Sequence, residues 1–345
     1  MNQDLTDLTD LTDLTGLTAA ISAAIRVGEV VRGTTSPNPP VGCAIVGATG
    51  ELITTGSTAP AGGPHAEINA LTSAGARAHG ATAVVTLEPC NHTGRTGPCS
   101  RALVEAGIAR VVYLTADPFA PAAGGAEHLR VNGIEVVFQP MRVAALQPWL
   151  RSVRLGRPSV TLKFASTLDG FTAAADGTSK WITGSEAREH VHQDRTKRDA
   201  IIVGTGTVIA DNPSLSARYP DGSLREHQPR RVVVGKRCVP EGNLTRLGFE
   251  QYPTPQEALN ALWEAGARDA LVEGGAKLNA SFLELDLVDA VQAYIAPALL
   301  GAGRGVVDRA IADTITEAHR FRITDVRGVG EDVLIEMERD VHRTR

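Results

Sequence analysis

Four residues in the first third of the chain have the types and spacing that zinc chemistry requires. They are His65, Glu67, Cys90 and Cys99. One imidazole and two thiolates are ligands that zinc prefers, and three protein ligands leave the fourth tetrahedral position open to water. Glu67 lies two residues beyond His65, close enough to face that water without binding the metal. The pattern therefore predicts a catalytic zinc site.

The local sequence places these side chains at the ends of predicted elements. Cys90 follows an apolar run at 83–87, so it lies beyond the carboxyl end of a strand. Cys99 follows Pro98 at the start of a helical pattern, where the helix dipole lowers the pKa of a thiol. His65 also follows a proline and opens a helix. We therefore expect two helix starts and one strand end to converge on the metal.

The order His-x-Glu, Pro-Cys and then a second Cys is typical of zinc-dependent nucleobase deaminases. In that chemistry zinc lowers the pKa of a bound water to about 7, and Glu67 carries the proton to a ring nitrogen and then to the leaving ammonia. Eight residues separate Cys90 from Cys99 instead of the usual two, but this segment holds two glycines and a proline and can loop back. A closed structural zinc site stays an alternative, because His92 lies two residues from Cys90.

The elements that must position these residues alternate between strands and helices in both halves of the chain, which predicts an α/β fold with two domains. The first half has predicted strands 42–46, 83–87, 110–114 and 134–138 and helices 17–31, 65–76, 98–107, 125–132 and 141–155. The second half has predicted strands 159–165, 200–203, 231–234, 269–272, 289–295 and 332–338 and helices 185–197, 255–265 and 276–284. Because Gly156-Arg157-Pro158 marks a junction, we predict a poorly ordered tail at 1–16, a first domain at 17–156 and a second at 157–345.

Two glycine turns in the second half are candidate nucleotide-binding sites. Gly274-Gly275 follows an apolar strand and precedes the predicted helix 276–284, whose first backbone amides suit a pyrophosphate. The segment GTGT at 204–207 offers another glycine turn. Neither matches the pattern G-x-G-x-x-G, so a doubly wound dinucleotide-binding domain is disfavoured. Lys163 and Asp211 are the polar groups expected near a reacting sugar, and either could assist proton transfer.

Composition and charge exclude several classes of protein. The chain has 345 residues and a net charge of −5, and a repeated Asp-Leu-Thr tail contributes four aspartates to that charge. Elsewhere acids and bases are mixed, and aromatic residues make up only 4%, so nucleic acid is not expected as a partner. The sequence has no run of eighteen apolar residues and no secretory signal, which predicts a cytoplasmic protein without a membrane span.

Longer segments resemble the bifunctional deaminase–reductase family of riboflavin biosynthesis. Those similar to the deaminase half of the family are TSPNPPVGCAIV (35–46), GGPHAEINAL (62–71) and VTLEPCNHTGRTGPCSRAL (85–103). Those similar to its reductase half are LKFASTLDGFTA (162–173), SKWITG (179–184), GTGTVIADNPSLSAR (204–218), LVEGGAKLNASFL (271–283) and YIAPALLG (294–301). The resemblance runs from about residue 17 to the end of the chain, and the long loop between Cys90 and Cys99 is the pattern of this family.

The resemblance implies a cytidine-deaminase-like domain with α/β/α layers, followed by a dihydrofolate-reductase-like α/β domain. It implies Zn²⁺ and NADPH as cofactors and 2,5-diamino-6-ribosylamino-4(3H)-pyrimidinone 5′-phosphate as the substrate. The deaminated product would be reduced to the ribityl compound through hydride delivery to C1′ of its ring-opened Schiff-base form. The family also implies a homodimer formed through the reductase domains.

Residue roles follow from the resemblance position by position, with zinc on the histidine and two cysteines and Glu67 as the proton carrier. The residues implied to contact substrate are Asn38, His92, Arg95, Lys163, Ser179, Arg195, Leu215, Arg218 and Glu273. The residues implied to contact NADPH are Ser166, Trp181, Thr207, Asp211, Gly275, Ala276, Lys277, Leu278, Asn279, Ala280 and Ser281. Arg195 and Arg218 suit the 5′-phosphate of the substrate, because a guanidinium binds phosphate through two parallel hydrogen bonds.

Other functions stay open at this point. A deaminase for another nucleobase fits the same metal pattern, whereas one that edits nucleic acid would need a basic groove and stacking aromatics. A single-function reductase with an inactive deaminase domain would not need to keep all four residues of the predicted zinc site. Thr58 departs from the family, because many relatives have a histidine there, and this bears on how the pyrimidine is held.

Overall fold

The computed structural model describes residues 11–92, 97–119 and 122–339. By its internal contacts the chain divides into two units, Met1–Arg154 and Leu155–Arg345. Each unit has its own sheet and its own hydrophobic core. Within the described residues, no helix is both long enough and apolar enough to cross a membrane.

The first unit contains a five-stranded mixed sheet and the helices that accompany it, in agreement with the α/β prediction. Its strands are β1 (Gly42–Val46), β2 (Leu52–Ser57), β3 (Thr82–Val85), β4 (Arg110–Tyr113) and β5 (Glu135–Phe138). The helices of this half of the chain are α1 (Leu11–Val30), α2 (Ala66–Ala74), α3 (Cys99–Glu105), α4 (Gly125–Val131) and α5 (Gln147–Leu155). The strand order is β2-β1-β3-β4-β5, in which β3, β4 and β5 run parallel and β1 is antiparallel to both neighbours.

Close packing of α2 on β2 fixes the position of the helix that carries Glu67. All five residues of β1 are buried, and this strand lies between β2 and β3 in the sheet. A Cβ at Gly56 of β2 would lie 2.4 Å from both the Ala66 carbonyl oxygen and the Ala70 amide nitrogen. Because glycine has no side chain, the backbone of α2 can lie directly against the strand.

Two features of the first unit differ from the sequence prediction. Strand β2 pairs with β1 in a segment, LITTGS, for which the sequence predicts no strand, because its polar residues hide the alternation of a half-buried strand. Helix α1 begins at Leu11, so residues 11–16 of the predicted tail are helical. Residues 1–10 of the predicted tail lie outside the described residues.

The second unit is built on an eight-stranded sheet and a separate two-stranded ribbon. Its strands are β6 (Ser159–Thr167), β7 (Phe171–Ala174), β8 (Ala200–Gly204), β9 (Arg230–Val234), β10 (Glu250–Tyr252), β11 (Asp269–Val272), β12 (Ala290–Ala296), β13 (Gly303–Gly305), β14 (Phe321–Val329) and β15 (Asp332–Arg339). Its helices are α6 (Ser185–Arg195), α7 (Thr205–Asp211), α8 (Asn243–Leu247), α9 (Pro255–Glu264) and α10 (Ala276–Glu284). The sheet order is β10-β9-β8-β11-β6-β12-β15-β14, and β7 and β13 form the ribbon.

The six strands from β10 to β12 in this order run parallel, and β15 and β14 continue the sheet antiparallel. The parallel strands read as apolar runs because both of their faces are covered. Val232 of β9 is fully buried and packs in the same core as Leu259 of α9 and Phe282 of α10. Since carboxyl ends of parallel strands share one edge, the residues that follow β8, β9 and β11 are brought together there.

Several elements of the second unit are absent from the sequence prediction, namely α7, α8, β7, β10, β13 and β14. Helix α7 begins at Thr205, inside the segment interpreted as a glycine turn, with Gly204 as its N-cap residue. Strand β14 lies at the edge of the sheet and has mostly exposed or half-buried residues. Its sequence therefore lacks the apolar pattern from which strands are predicted.

Candidate functional site

The three predicted zinc ligands lie together in the first unit. His65 immediately precedes α2, Cys99 is the first residue of α3, and Cys90 lies in the loop after β3. Cys90 Sγ and Cys99 Sγ lie 3.6 and 3.4 Å from His65 Nδ1, and the three ligand atoms all lie within 4.8 Å of one another. Tetrahedral zinc, with bonds of about 2.3 Å to sulfur and about 2.1 Å to nitrogen, separates such atoms by about 3.6 Å. The donor set therefore fits zinc.

Contacts within the ligand set favour a thiolate. The hydrogen bond from the Cys99 thiol lowers the pKa of Cys90 to about 4, and His65 adds to this effect against the opposing influence of burial. The same thiol contact, together with burial, raises the pKa of Cys99. The backbone amide of Cys99 also donates to Cys90 Sγ at 3.5 Å. Cys90 thus supplies the deprotonated sulfur that metal binding requires.

Glu67 lies in the first turn of α2 beside the ligands, with only 4% of its surface exposed. Burial raises the pKa of Glu67 to about 7, and the negative charge of Cys90 adds to this effect. Its carboxyl group also contacts the Cys99 thiol. A carboxyl group whose pKa is close to the working pH can both accept and donate a proton. The geometry is therefore suited to proton transfer at the metal site.

Polar contacts that the sequence prediction missed join the segments of the two cysteines. Ser100 Oγ donates to Asn91 Oδ1 at 2.9 Å, and Ser100 N donates to Cys90 O at 3.1 Å. Glu88 Oε1 accepts a hydrogen bond of 3.1 Å from Ala126 N at the start of α4. The signal that could have identified Glu88 and Asn91 is their position on either side of the Pro-Cys pair.

Of the three substrate contacts predicted for the first unit, the structure describes two. Asn38 is half-buried in the loop before β1. His92 lies outside the metal-ligating group, and its buried Nδ1 has no hydrogen-bond partner among the described residues. Arg95 falls outside the residues that the structure describes. Thr58 is buried, and its Oγ1 accepts a hydrogen bond of 3.1 Å from Val41 N, so this departure from the family is part of the packing beside β1.

Three of the predicted substrate residues form one buried cluster of charges in the second unit. Arg195, the last residue of α6, donates two hydrogen bonds to the Glu273 carboxylate, Nε to Oε1 at 2.7 Å and Nη2 to Oε2 at 2.8 Å. Lys163 Nζ on β6 lies 4.0 Å from Glu273 Oε2 and 5.5 Å from the centre of the Tyr294 ring. Glu273 directly follows β11, so two strands and one helix bring these charges together.

The ion pair decides the charge states in this cluster. Burial by itself would raise the pKa of Glu273, but Arg195 outweighs burial and the pKa falls to about 2. Burial lowers the pKa of Lys163, and the charge of Glu273 opposes this change. Glu273 is therefore ionised at neutral pH, and much of the charge of Arg195 is neutralised before any phosphate can bind.

Arg218 has no carboxylate partner among the described residues. Its Nε donates to Ser216 Oγ at 2.8 Å and its Nη2 donates to Ser214 Oγ at 3.0 Å. Leu215 between these serines is buried with a φ of 48°, so a left-handed turn presents both hydroxyl groups. Arg195 Nη1 donates to the Ser216 carbonyl oxygen at 2.9 Å, which places this turn beside the charge cluster. Arg218 is therefore the more available of the two predicted phosphate ligands.

The two glycine turns lie side by side at the carboxyl ends of neighbouring parallel strands. Gly204 precedes α7 at the end of β8, and Gly275 precedes α10 after β11. Gly275 N donates to Thr207 Oγ1 at 3.2 Å. A Cβ at Gly274 would lie 2.6 Å from the Leu278 side chain, so the backbone here runs close to α10. Helix-start amides that carry no bulky side chain suit the phosphates of NADPH.

The other predicted NADPH contacts fall into two groups. Those with buried side chains are Ser166, Ala276, Leu278, Asn279 and Ala280. Those that are exposed or half-buried are Trp181, Thr207, Asp211, Gly275, Lys277 and Ser281, and the predicted substrate contact Ser179 is also exposed. Trp181 is 72% exposed and stacks with the Arg188 guanidinium 4.4 Å from its ring centre. Helix α10 therefore offers a ligand the backbone of its first turn rather than most of its side chains.

Comparison with known families gives a match in each unit. Residues 17–115 match the cytidine and deoxycytidylate deaminase zinc-binding region, and residues 158–335 match the RibD C-terminal domain. The first match contains the three zinc ligands and Glu67. The second contains the charge cluster of Lys163, Arg195 and Glu273 and both glycine turns.

Similar proteins match over nearly the whole chain. The riboflavin biosynthesis protein RibD of Corynebacterium ammoniagenes is 58% identical over 320 residues, which cover 90% of this chain and 95% of that protein. The structure of Acinetobacter baumannii RibD (form 1) is 37% identical with a TM-score of 0.82, and the match covers 95% of this chain and 99% of that one. A second solved structure, from Thermotoga maritima, is 31% identical with a TM-score of 0.83, and the match covers 94% of this chain and 99% of that one. It is described as a diaminohydroxyphosphoribosylaminopyrimidine deaminase/5-amino-6-(5-phosphoribosylamino)uracil reductase. The predicted fold and family are confirmed, and the chain belongs to the RibD family of bifunctional deaminase–reductases of riboflavin biosynthesis.

Proposed function

We propose that the chain carries out two consecutive reactions on one phosphorylated pyrimidine. The first is hydrolytic deamination of 2,5-diamino-6-ribosylamino-4(3H)-pyrimidinone 5′-phosphate, assigned to residues 17–156. The second is reduction of the ribosyl group of the product to ribityl by NADPH, assigned to residues 157–345. The observation that carries this proposal is the convergence of His65, Cys90 and Cys99 beside a buried Glu67, in the unit that matches a deaminase.

In the deaminase unit the chain itself handles the protons. His65, Cys90 and Cys99 would hold the zinc, which would supply a nucleophile from water at neutral pH. Glu67 would carry both protons of the attacking water, the first to the ring nitrogen and the second to the amino group, which leaves as ammonia while the oxygen stays on the ring as a carbonyl. Its pKa of about 7 allows both states at neutral pH, and its burial keeps bulk water away from the carboxyl group.

The substrate contacts proposed for the deaminase unit are the three predicted from the sequence. Asn38 suits a ribose or amide contact, and Arg95 suits the phosphate. His92 has a buried ring nitrogen without a partner among the described residues, which supports a role in binding a ligand because a buried polar atom is costly to leave unpaired. The proposal for Arg95 rests on its position in the family pattern.

In the reductase unit NADPH would supply the hydride that C1′ accepts. Of the two groups considered for proton transfer, Lys163 lies in the buried charge cluster, whereas Asp211 is exposed at the end of α7. This favours Lys163 as the group that faces the Schiff-base nitrogen. Glu273, held by Arg195, orients Lys163, and Arg218 binds the 5′-phosphate.

The test is to incubate the zinc-loaded protein with the diaminopyrimidinone substrate, with and without NADPH, while following ammonia release and NADPH oxidation together. We expect ammonia without NADPH, and NADPH oxidation only after ammonia has been released. No ammonia from protein with one bound zinc per chain would overturn the deaminase assignment for this substrate. Reduction of the deaminated intermediate alone would then leave a single-function reductase.

A homodimer formed through the reductase units, a cytoplasmic location and the absence of nucleic-acid binding belong to the same proposal. Strand β14 lies at the edge of its sheet, and its apolar side chains Ile323 and Val326 are 57% and 54% exposed. Both features support association, because another chain can pair with the free backbone groups of an edge strand and cover its apolar side chains. Light scattering should give twice the chain mass of 36.3 kDa, and the double variant Ile323→Lys/Val326→Lys should give a monomer.

A further inference from the structure

The segment that carries Arg218 has no regular secondary structure to hold it in place. Residues 212–229, all of which the structure describes, connect α7 to β9 without a helix or strand. One antiparallel bridge joins Arg218 to Leu224. A guanidinium can bind a phosphate through two parallel hydrogen bonds only if it is held in the right orientation. Side chains must therefore supply the contacts that keep Arg218 in place.

The amide of Gln228 makes three hydrogen bonds to the backbone of this segment. Its Oε1 accepts from Ala217 N at 3.0 Å, and its Nε2 donates to the Ala217 carbonyl oxygen at 2.7 Å. Nε2 also donates to the Arg225 carbonyl oxygen at 2.8 Å. Ala217 is fully buried, so its backbone groups depend on such partners. Gln228 thus pairs with both polar backbone groups of the residue that precedes Arg218.

Arg225 connects the same segment to helix α6. Its backbone N donates to the Ala217 carbonyl oxygen at 3.1 Å, and its Nε donates to the Arg218 carbonyl oxygen at 2.9 Å. Its guanidinium stacks on the Tyr219 ring, 4.3 Å from the ring centre, and forms an ion pair with Glu189 of α6. Because Gln228 also binds the carbonyl oxygen of Arg225, one amide joins the two strands of chain on either side of the bridge.

The two serines that orient the guanidinium of Arg218 are held by other side chains. Arg231 Nε on β9 donates to the Ser214 carbonyl oxygen at 2.9 Å. Arg195 Nη1 at the end of α6 donates to the Ser216 carbonyl oxygen. Loss of the Gln228 amide should therefore shift the backbone that carries the guanidinium, while the serine hydroxyl groups stay in place.

We propose that Gln228 is a positioning residue for the reductase reaction, which holds Arg218 where its guanidinium binds the 5′-phosphate of the substrate. The inference rests on the proposed reductase function and on the phosphate role of Arg218. Gln228 acts through the backbone of Ala217 and does not itself touch the phosphate. Its loss should therefore weaken the binding of a substrate that carries the phosphate, and it should leave hydride transfer unchanged.

The experiment measures KM and kcat for NADPH oxidation by the full-length, zinc-loaded protein. The two substrates are the deaminated intermediate and the same compound without its 5′-phosphate. Gln228→Met keeps the length of the side chain but removes its donors and its acceptor. For the phosphorylated compound we expect KM to rise about tenfold while kcat changes by less than about twofold. For the compound without phosphate, KM should change by less than about twofold.

The matched control is Gln256→Met. Gln256 is an exposed residue of α9 whose amide donates to Asn260 Oδ1 at 3.0 Å. This variant loses a glutamine hydrogen bond in the same unit, away from the segment 212–229, so it should change neither KM nor kcat.

A double-mutant cycle tests whether Gln228 acts through Arg218. In an Arg218→Ala background, Gln228→Met should raise KM for the phosphorylated compound by less than about twofold, because the group that it positions is gone. Gln228→Asn keeps the amide on a side chain that is one methylene shorter, and it should raise the same KM a few-fold. This second variant gives the same comparison if Gln228→Met does not fold.

The outcomes separate this inference from the function on which it rests. An equal rise in KM for both compounds, a fall in kcat with both, an unchanged KM in Gln228→Met or additive effects in the cycle would each overturn the role of Gln228. If the wild type had the same KM for both compounds, the phosphate role of Arg218 would fail, and the inference with it. If the wild type oxidised NADPH with neither compound, the proposed reductase function itself would fail.

Discussion

At the scale of single residues, Glu67 and Glu273 acquire opposite properties from their surroundings. Burial raises the pKa of Glu67 to about 7, whereas Arg195 overcomes burial and lowers the pKa of Glu273 to about 2. The difference is the Arg195 guanidinium, which is hydrogen-bonded to Glu273. An opposite charge at hydrogen-bonding distance favours the ionised form of a carboxyl group. Glu67 is therefore suited to exchanging protons, and Glu273 to orienting Lys163.

Replacing Glu67 should separate proton transfer from metal binding. In Glu67→Gln the side chain keeps its shape but cannot carry a proton, so we expect ammonia release to fall by about 10²–10⁴-fold while one zinc per chain is retained. Ammonia assay and metal analysis on the same sample measure the two effects. The control Glu105→Gln removes an exposed carboxyl group of α3 that pairs with Arg101 and should change neither. Loss of zinc together with activity would contradict the role assigned to Glu67.

Replacing Glu273 should have an effect on stability that depends on pH. Because the pKa of Glu273 is lower in the folded state, about 2, than in an unfolded chain, about 4.3, its ionised form stabilises the fold above about pH 4.3. This contribution is lost as the pH falls toward 2. Glu273→Gln should therefore lower the free energy of unfolding by about 3 kcal/mol at pH 7, and the difference should shrink progressively below about pH 4.

Urea unfolding of both proteins from pH 7 down to pH 3 measures this difference. Glu250→Gln is the control, because Glu250 pairs with Arg230 at a partly exposed position where the two side chains are 33% and 39% exposed. For Glu250→Gln we expect the free energy of unfolding to fall by less than about 1 kcal/mol. A difference between wild type and Glu273→Gln that stayed constant over this range would show that the Glu273 charge does not stabilise the fold.

At the scale of elements, close contacts between backbones set the positions of the functional side chains. Helix α2 lies directly on β2 at Gly56, and it carries Glu67 in its first turn with His65 as its N-cap residue. Helix α4 begins against the loop that carries Cys90, because a Cβ at Gly125 would lie 1.7 Å from the Pro89 carbonyl oxygen. A small displacement of either helix would therefore move a group of the zinc site.

Gly56→Ala should disturb the zinc site although Gly56 does not touch the metal. The new Cβ would lie 2.4 Å from backbone atoms of α2, so the helix must shift, at a cost of about 1–3 kcal/mol in stability. We expect weaker zinc binding and slower ammonia release, measured by competition with a chelating dye and by the ammonia assay. Gly328→Ala, where a Cβ meets nothing within 4 Å, should leave both unchanged. Normal zinc affinity in Gly56→Ala would mean that α2 does not set the ligand geometry.

At the scale of the whole molecule, the two sets of chemical groups belong to different units. The zinc ligands and Glu67 lie in Met1–Arg154, and the charge cluster and both glycine turns lie in Leu155–Arg345. Each unit buries its own hydrophobic core. The two activities should therefore respond separately to a change that affects one unit.

Removal of zinc tests this separation. Protein treated with a chelator should release no ammonia, but it should still oxidise NADPH when given the deaminated intermediate, at a rate within about twofold of the untreated protein. This follows because the ligands of the metal site all belong to the first unit. Adding zinc back should restore ammonia release. A parallel loss of both activities would show that the second unit depends on the metal.

The sequence by itself determined the family, the α/β class and the residue types of the zinc site. His65, Cys90 and Cys99 each lie beside a local signal, either a proline at a helix start or the end of an apolar strand. The buried parallel strands of the second unit are likewise recognised from short apolar runs, because both of their faces are covered by protein. Such features are local, so a single sequence contains them in full.

Only the tertiary structure decided which distant groups meet. Arg195 and Glu273 are 78 positions apart, and Arg237 reaches Gly206 from a different strand end, because the sheet order places β11 between β8 and β6 and leaves β9 on the other side of β8. The sequence pattern does not predict strands β2 and β14, because each lies at the edge of its sheet and has many residues exposed or half-buried. Strand order and edge position depend on contacts between segments far apart in the chain, which local residue patterns do not encode.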